Sequence, residues 1–286
     1  MKSWSLHIGL NQVDPNHYKD ASGNGWNGQL FGCESDAEFY KQLATSAGFS
    51  RIVSLLTSQA TTETVKQEFM AAKEALEPGD LFMVTYAGHG GQVDDLNGDE
   101  RDRKDETWCL FDRQFIDDEL FDLMAKFKPG VKVLMFSDSC HSGTVARNVP
   151  SNTPLTVSLR NALASNNVLE RVVPGPVLAR TFEFNRADYE EILNENYANQ
   201  DEVSTFVLLF AACQDHETAK EQGIHGIFTA TVQQLLTNPG AAFTYRSLFD
   251  ELRRNINPSV QVPNFFTYGN PALDFSGDAL FATVKS

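Results

Sequence analysis

Short apolar runs at Trp4–Gln12, Arg51–Thr57, Leu81–Tyr86, Val131–Phe136 and Phe206–Cys213 read as strands, several of them too uniformly apolar to have a wet face. The stretches between them read as helices: from about Cys33 to before Gly48, then Thr61–Leu76, Asp117–Lys128, Ile227–Leu236 and Tyr245–Ile256. Thr61 and Thr62 are candidate caps for the second helix, and Pro78-Gly79 is its stop. Asn264–Tyr268 is a candidate last strand. Strand and helix alternating in this way predict an α/β fold with a mostly parallel central sheet flanked by helices. Between 148 and 202 the pattern dissolves into Pro, Asn, Ser and scattered Arg, and a segment of that length is usually functional or mobile. There is no internal repeat and no low-complexity tract.

Two of the apolar runs end in short polar motifs, Tyr86-Ala87-Gly88-His89-Gly90-Gly91 and Asp138-Ser139-Cys140-His141-Ser142-Gly143. In an open α/β sheet, chemistry sits at such strand ends. A neutral thiol is a poor nucleophile, so Cys140 needs a base, and histidine is suited to that role near neutral pH. His89 is the candidate. His141 is adjacent in sequence, but strand geometry would point it to the opposite side. A lone Cys at a strand end is more often a small buried hydrophobe than a nucleophile; two Gly-flanked polar motifs on two strands reverse that preference. The backbone N–H groups of Gly90 and Cys140 are natural oxyanion donors, since glycine lets the chain approach a substrate closely.

Composition narrows the class. The chain has 286 residues, 42% of them hydrophobic and 21 of them Phe, enough for a substantial core, which excludes overall disorder. Cys33, Cys109, Cys140 and Cys213 make neither a C-x-x-C pair nor a zinc-type spacing, which predicts free thiols in a reducing, cytoplasmic setting. The apolar stretch in Met1–Leu10 is too short and interrupted for a signal peptide, and the longest apolar run, Thr205 to Cys213, is strand-sized. A net charge of −15 argues against nucleic-acid and anionic-membrane partners and suits basic peptide substrates.

The motifs resemble those of the metacaspase and orthocaspase branch of the caspase-like peptidases. Caspase-type enzymes place their histidine about fifty residues before the cysteine, and the positions here are 89 and 140, although Asp-Ser-Cys-His-Ser-Gly is not the caspase signature itself. Gly32-Cys33-Glu34-Ser35-Asp36-Ala37 resembles the family's first-helix motif, Asp105–Asp112 and Ile116–Leu120 its acidic segments, and Cys213–Ala219 the start of its small-subunit region. The resemblance implies a caspase–hemoglobinase fold in a single peptidase domain over 1–286, with a large-subunit-like region (1–147), a connector (148–202) and a small-subunit-like region (203–286). It also implies that Cys33, Asp36 and Asp138 line the pocket for the side chain before the scissile bond. Two carboxylates there suit Arg or Lys, because a guanidinium pairs bidentately with them. Read alone, Asp36 would be a solvated helix face. The family's Ser two residues before the histidine is replaced by Ala87, a change expected to adjust pocket affinity and not its charge preference.

No cofactor is required for this chemistry, and Ca²⁺ is the one candidate ion. The acidic run from Asp94 is not an EF-hand, because a strand precedes it and Glu100 stands at the required Gly position. By resemblance, Asp105, Asp117 and Asp118 match three calcium ligands of the family, while Arg147 replaces the fourth, and a solvated acidic loop is the competing reading. The sequence thus predicts a Cys140/His89 endopeptidase cutting after Arg or Lys, with self-cleavage at Arg147, Arg160, Arg171, Arg180 or Arg186 as a further expectation. The alternative is a catalytically idle caspase-like adaptor acting by binding, whose usual mark, a missing dyad residue, is absent. A serine hydrolase would need a G-x-S-x-G elbow, which the chain lacks.

Overall fold

The computed structural model describes residues 1–94, 104–140, 168–195, 197–198, 200–214, 218–238 and 240–284. In chain order the elements are β1 (Ser3–Gly9), α1 (Cys33–Ala47), β2 (Arg51–Leu56), α2 (Thr62–Ala75), β3 (Leu81–Ala87), β4 (Gly90–Asp94), β5 (Lys104–Cys109), β6 (Gln114–Ile116), α3 (Asp117–Ala125) and β7 (Lys132–Asp138). They continue with β8 (Leu169–Glu170), α4 (Gly175–Phe184), α5 (Arg186–Leu193), β9 (Phe206–Ala211), β10 (Lys220–Gln222), β11 (His225–Gly226), α6 (Ile227–Leu236), α7 (Tyr245–Asn255) and β12 (Asn264–Gly269).

Six strands form the central sheet in the order β12-β9-β7-β3-β1-β2. All neighbours are parallel except β12, which runs antiparallel to β9 at the edge. Every residue of β3 is buried, as befits a strand covered on both faces. Side chains alternate between the faces. Leu81 and Met83 join Phe39, Tyr40, Leu134, Phe136, Leu208 and Phe210 beneath α1, α6 and α7. Phe82 and Val84 join Val65, Phe69, Val133 and Met135 on the α2 and α3 side. Aromatic packing is dense on both: Phe136 stacks on Phe210 at 4.7 Å, and fully buried Phe69 meets Phe82 edge-on at 5.3 Å. Phe69→Ala would cost about 3–5 kcal/mol through the lost burial and the cavity left behind.

Local signals set the helix ends. Glu34 and Asp36 in the first turn of α1 favour its positive end, and Gly48, at φ 93°, closes it with its N–H on the Ala44 and Thr45 carbonyls. Thr61 caps α2 through its side-chain oxygen and the Thr64 N–H. The parallel register sets Gly9 beside Ala87 and Ala87 beside Asp138, so three strands present their C-terminal ends on one edge.

Two expectations are corrected. The described part of 148–202 is not patternless: it holds β8 and the short helices α4 and α5. These are two- to three-turn helices with only two or three buried residues each, too short for a period to show in sequence. The segments flanking 95–103, part of what reads as an acidic loop, pair as β4 and β5, with β6 completing a three-stranded antiparallel sheet. Charged residues and a Gly-Gly start mask their alternation.

Candidate active site

His89 follows the end of β3 and is almost fully buried. Its Nε2 lies 2.8 Å from the Gly28 carbonyl. A carbonyl only accepts, so Nε2 carries the proton, and the buried Nδ1, which has no hydrogen-bond partner, keeps its lone pair. Trp26 covers the ring at 5.1 Å. Burial lowers the imidazole to about 4, leaving a neutral base.

Cys140, at the end of β7, is fully buried, and burial pushes its thiol well above the ordinary value. The Ala219 N–H donates to Sγ at 3.0 Å, and the sulfur also meets the Ala219 carbonyl at 3.5 Å and the Cys213 thiol. No Cys140–His89 hydrogen bond is made in this arrangement. The sulfur finds its partners on the β10 side, and Nδ1 has none. Gly90 packs so closely on the Cys140 backbone that a Cβ would collide with the Cys140 carbonyl, so only glycine fits.

Beside this pair, three carboxylates converge on one guanidinium. Arg171 is fully buried; its Nη2 lies 2.6 Å from Asp36 and 3.3 Å from Glu221, and its Nη1 3.1 Å from Asp138 Oδ1. Nη1 also donates to the Asp138 carbonyl at 3.0 Å. Each acid is held from behind. His225 Nδ1 and the Gly226 N–H donate to Asp36, the Thr229 N–H and hydroxyl to Asp138 at 3.0 and 2.7 Å, and the Phe31 and Gly32 N–H groups to Glu221. Gly226 forms a wall where any side chain would strike Asp138 and Arg171. Burial raises Asp138 to about 6 against the pull of Arg171, and Asp36 adds to the rise. Cys33 Sγ stands 4.0 Å from Glu221, and Cys33 and Ala87 pack with Leu30. The pocket residues named from sequence thus come together, apart from the hydroxyl that Ala87 lacks.

The backbone around Arg171 is extended and clamped. Leu169 and Glu170 pair antiparallel with Glu221 and Lys220, and the Arg171 N–H donates to the Ala219 carbonyl at 2.8 Å. The Gly90 N–H donates to the Arg171 carbonyl at 3.0 Å, Val172 bridges Gly90, and the Val173 N–H returns to the Gly90 carbonyl at 3.1 Å. Backbone of both Arg171 and Val172 lies beside the His89 ring. Ala219 serves both sides, its N–H on Cys140 and its carbonyl on Arg171.

Sequence reasoning missed Glu221, Thr229, His225, Trp26 and the Gly28 carbonyl. Lys220-Glu221-Gln222 reads as a charged turn before Gly223, and a carbonyl carries no residue-type signal at all. Asp105 lies on β5, and Asp117 and Asp118 open α3, close to the β5–β6 ladder. Among the described residues, no group of three or more His, Cys, Asp or Glu side chains is placed to hold a metal ion. His141, Arg147 and Arg160 lie outside the described residues.

A parallel sheet with a cysteine and a histidine on adjoining strand ends, beside a buried side-chain pocket, defines a caspase-like α/β protein. The chain belongs to the caspase family of cysteine peptidases: residues 13–270 match the model of the Caspase domain, Peptidase C14. It is metacaspase-like. It is 32% identical over 183 residues to Metacaspase-1 of Saccharomyces cerevisiae, a match taking in 59% of this chain and 38% of the yeast protein. The chain thus spans well under two thirds of that relative's length. Identity to Metacaspase-1 of Ajellomyces capsulatus is 27% over 275 residues, 83% of this chain and 76% of that one. Among solved structures, protein GSU0716 from Geobacter sulfurreducens is similar at TM-score 0.78 and 38% identity, covering 95% of both chains. Caspase-1 from Spodoptera frugiperda, at TM-score 0.50 and 12% identity over 93% of this chain and 85% of its own, shares the fold. No helix among the described residues is long and apolar enough to cross a membrane.

Proposed function

We propose that the chain is an endopeptidase with a Cys140/His89 dyad that cuts peptides and proteins after Arg and, less well, Lys, without a required cofactor, and that it processes itself after an arginine within 148–202. One observation carries this reading: an arginine side chain is taken up by Asp36, Asp138 and Glu221 while its carbonyl accepts the Gly90 N–H. Arg satisfies several acids at once through its planar fork, whereas Lys offers a single point charge. Asp or Glu in the pocket would be repelled.

In the reaction, the Cys140 sulfur turns from Ala219 toward the bound carbonyl carbon, and His89 Nδ1 takes the thiol proton and passes it to the leaving amine. The Gly90 and Cys140 N–H groups hold the oxyanion, an interaction worth about 10²–10³ in rate per donor. Water then hydrolyses the thioester. The parked position of the Cys140 sulfur is the one feature that favours the idle-adaptor reading. A panel of fluorogenic peptides differing only in the residue before the scissile bond decides between them. Arg peptides cut best, Lys next and Asp not at all is the expected order; efficient cutting after Asp sinks the pocket assignment, and no cutting of any peptide favours the adaptor.

A further inference from the structure

We infer that the Arg171–Val172 bond is the chain's own first substrate, and that its cleavage leaves Arg171 in the pocket as a tethered product inhibitor. This rests on the reading of Cys140 as nucleophile. It goes further by naming the bond and the state that follows the cut.

The choice of bond comes from the clamp. Arg171 alone among the described arginines of 148–202 has its side chain in the carboxylate pocket and its carbonyl on the Gly90 N–H. Arg180 lies within α4 and Arg186 opens α5, and a helix cannot present the extended backbone a peptidase needs. Both sides of the bond are held independently. Upstream, Leu169 and Glu170 pair with β10 and Arg171 fills the pocket. Downstream, Val173, Val177 and Leu178 sit in an apolar cluster with Val13, Tyr18, Trp26 and Cys109. The Tyr189 hydroxyl further ties α5 to His17 and to the Gln114 N–H.

In the cut, the Cys140 sulfur forms a bond to the Arg171 carbonyl carbon, the C–N bond to Val172 breaks, and the thiol proton goes through His89 to the new Val172 amine. Water then releases the Arg171 carboxylate and restores the thiol. None of the contacts holding Arg171 depends on the broken bond. The new carboxylate lies at the Gly90 N–H, and Arg171 stays joined to Cys140 through the chain between them. A tethered ligand acts at an effective concentration in the millimolar range. Cleavage by itself therefore does not open the pocket; a substrate must outcompete Arg171.

The test follows the intact masses of purified parent, Cys140→Ala, Arg171→Gln and Arg171→Lys, together with their kinetics on one Arg fluorogenic peptide. The parent is expected to yield fragments ending at Arg171 and beginning at Val172, while Cys140→Ala stays whole. Arg171→Gln is expected to be uncut there and to show an apparent KM at least about tenfold below that of the clipped parent at similar kcat, since Arg171 no longer competes. Because Arg171→Gln leaves three acids facing one another and can fail to fold, Arg171→Lys serves as the second variant, cut at the same bond but more slowly. If the variants cleave the Arg peptide but the parent is never cut at 171–172, the inference falls and the peptidase reading stands. If the clipped parent and Arg171→Gln share one KM, tethered inhibition is overturned. If no form cleaves the peptide, both fall.

Discussion

The pocket and the dyad meet on the same sheet edge, yet they stand in different states. The pocket is complete and occupied: each acid is fixed by neighbouring donors, and all three reach one guanidinium. The proposed dyad is not engaged, with the Cys140 sulfur on Ala219 and the His89 Nδ1 without a hydrogen-bond partner. Recognition depends on many atoms fixed by the fold. The proposed chemistry would need one side-chain rotation. On the proposed function, such a site would hold the Arg171 segment without consuming it at once, because a stable grip and a reactive sulfur are separate requirements.

The largest break in this comparison comes from the dyad. Cys140→Ala and His89→Ala should each lower kcat on an Arg peptide by at least about 10⁴-fold, while thermal unfolding stays close to that of the parent for the cysteine change, which removes only a sulfur. Activity near the parent level in either variant would show that the dyad is wrongly assigned.

Next come the pocket acids. Asp138→Asn keeps the shape but removes a charge fully desolvated against the guanidinium, a loss of about 2–5 kcal/mol, or roughly 30- to several-thousand-fold in kcat/KM for Arg peptides. Glu221→Gln, whose contact to Arg171 is longer at 3.3 Å, should cost about tenfold. Equal effects would mean that the three acids share the cation evenly. No effect at Glu221 would reduce the pocket to the two acids the sequence names.

What was legible in the sequence follows the same division. The parallel strands could be read because uniform apolar runs such as Leu81–Tyr86 and Val131–Phe136 need two covered faces, and His89 and Cys140 could be named as candidates because each closes such a run in a Gly-flanked polar motif. Asp36 could be named only by resemblance, since an acid in a helix's first turn is ordinarily wet. Glu221 was illegible because its partner arrives from fifty residues earlier, across a three-stranded sheet whose strands have two or three residues each. Arg171 could be chosen as one arginine among five, but only the fold separates it from Arg180 and Arg186.

Acid should act on the buried histidines and on Asp138 in opposite senses. His7, His17 and His89 are buried, and desolvation lowers them to about 3, 4 and 4; in the unfolded chain they titrate near 6.5. As pH falls below 6.5 the unfolded state binds protons first, so stability present above 6.5 is lost progressively toward pH 4. Asp138, raised to about 6, works the other way: the cost of holding it charged is relieved as pH falls from 6 toward its ordinary value. Three groups outweigh one. The melting temperature should drop by about 5 °C or more between pH 6.5 and 4.5. A flat profile would mean that the histidines, His89 among them, are not held neutral.

The smallest expected effect is that of calcium. Asp105 lies on β5, and Asp117 and Asp118 open α3 just after β6; among the described residues they do not form a three-ligand group. Arg147 stands in the sequence where the resemblance calls for a fourth carboxylate, which leaves the expected ligand set one acid short. Titrating Ca²⁺ into chelator-treated protein should therefore change the rate on an Arg peptide by less than about twofold, because an ion stabilises the active form only as far as it binds it better than the resting one. A large, saturable rise would be informative in a different way. It would mean that residues beyond the described ones complete a site, and that the rotation freeing Cys140 from Ala219 is under the control of an ion and not left to the side chain alone. Repeating the titration with Asp118→Asn, which should abolish such a rise while sparing the pocket, would then separate a true site on α3 from calcium acting elsewhere.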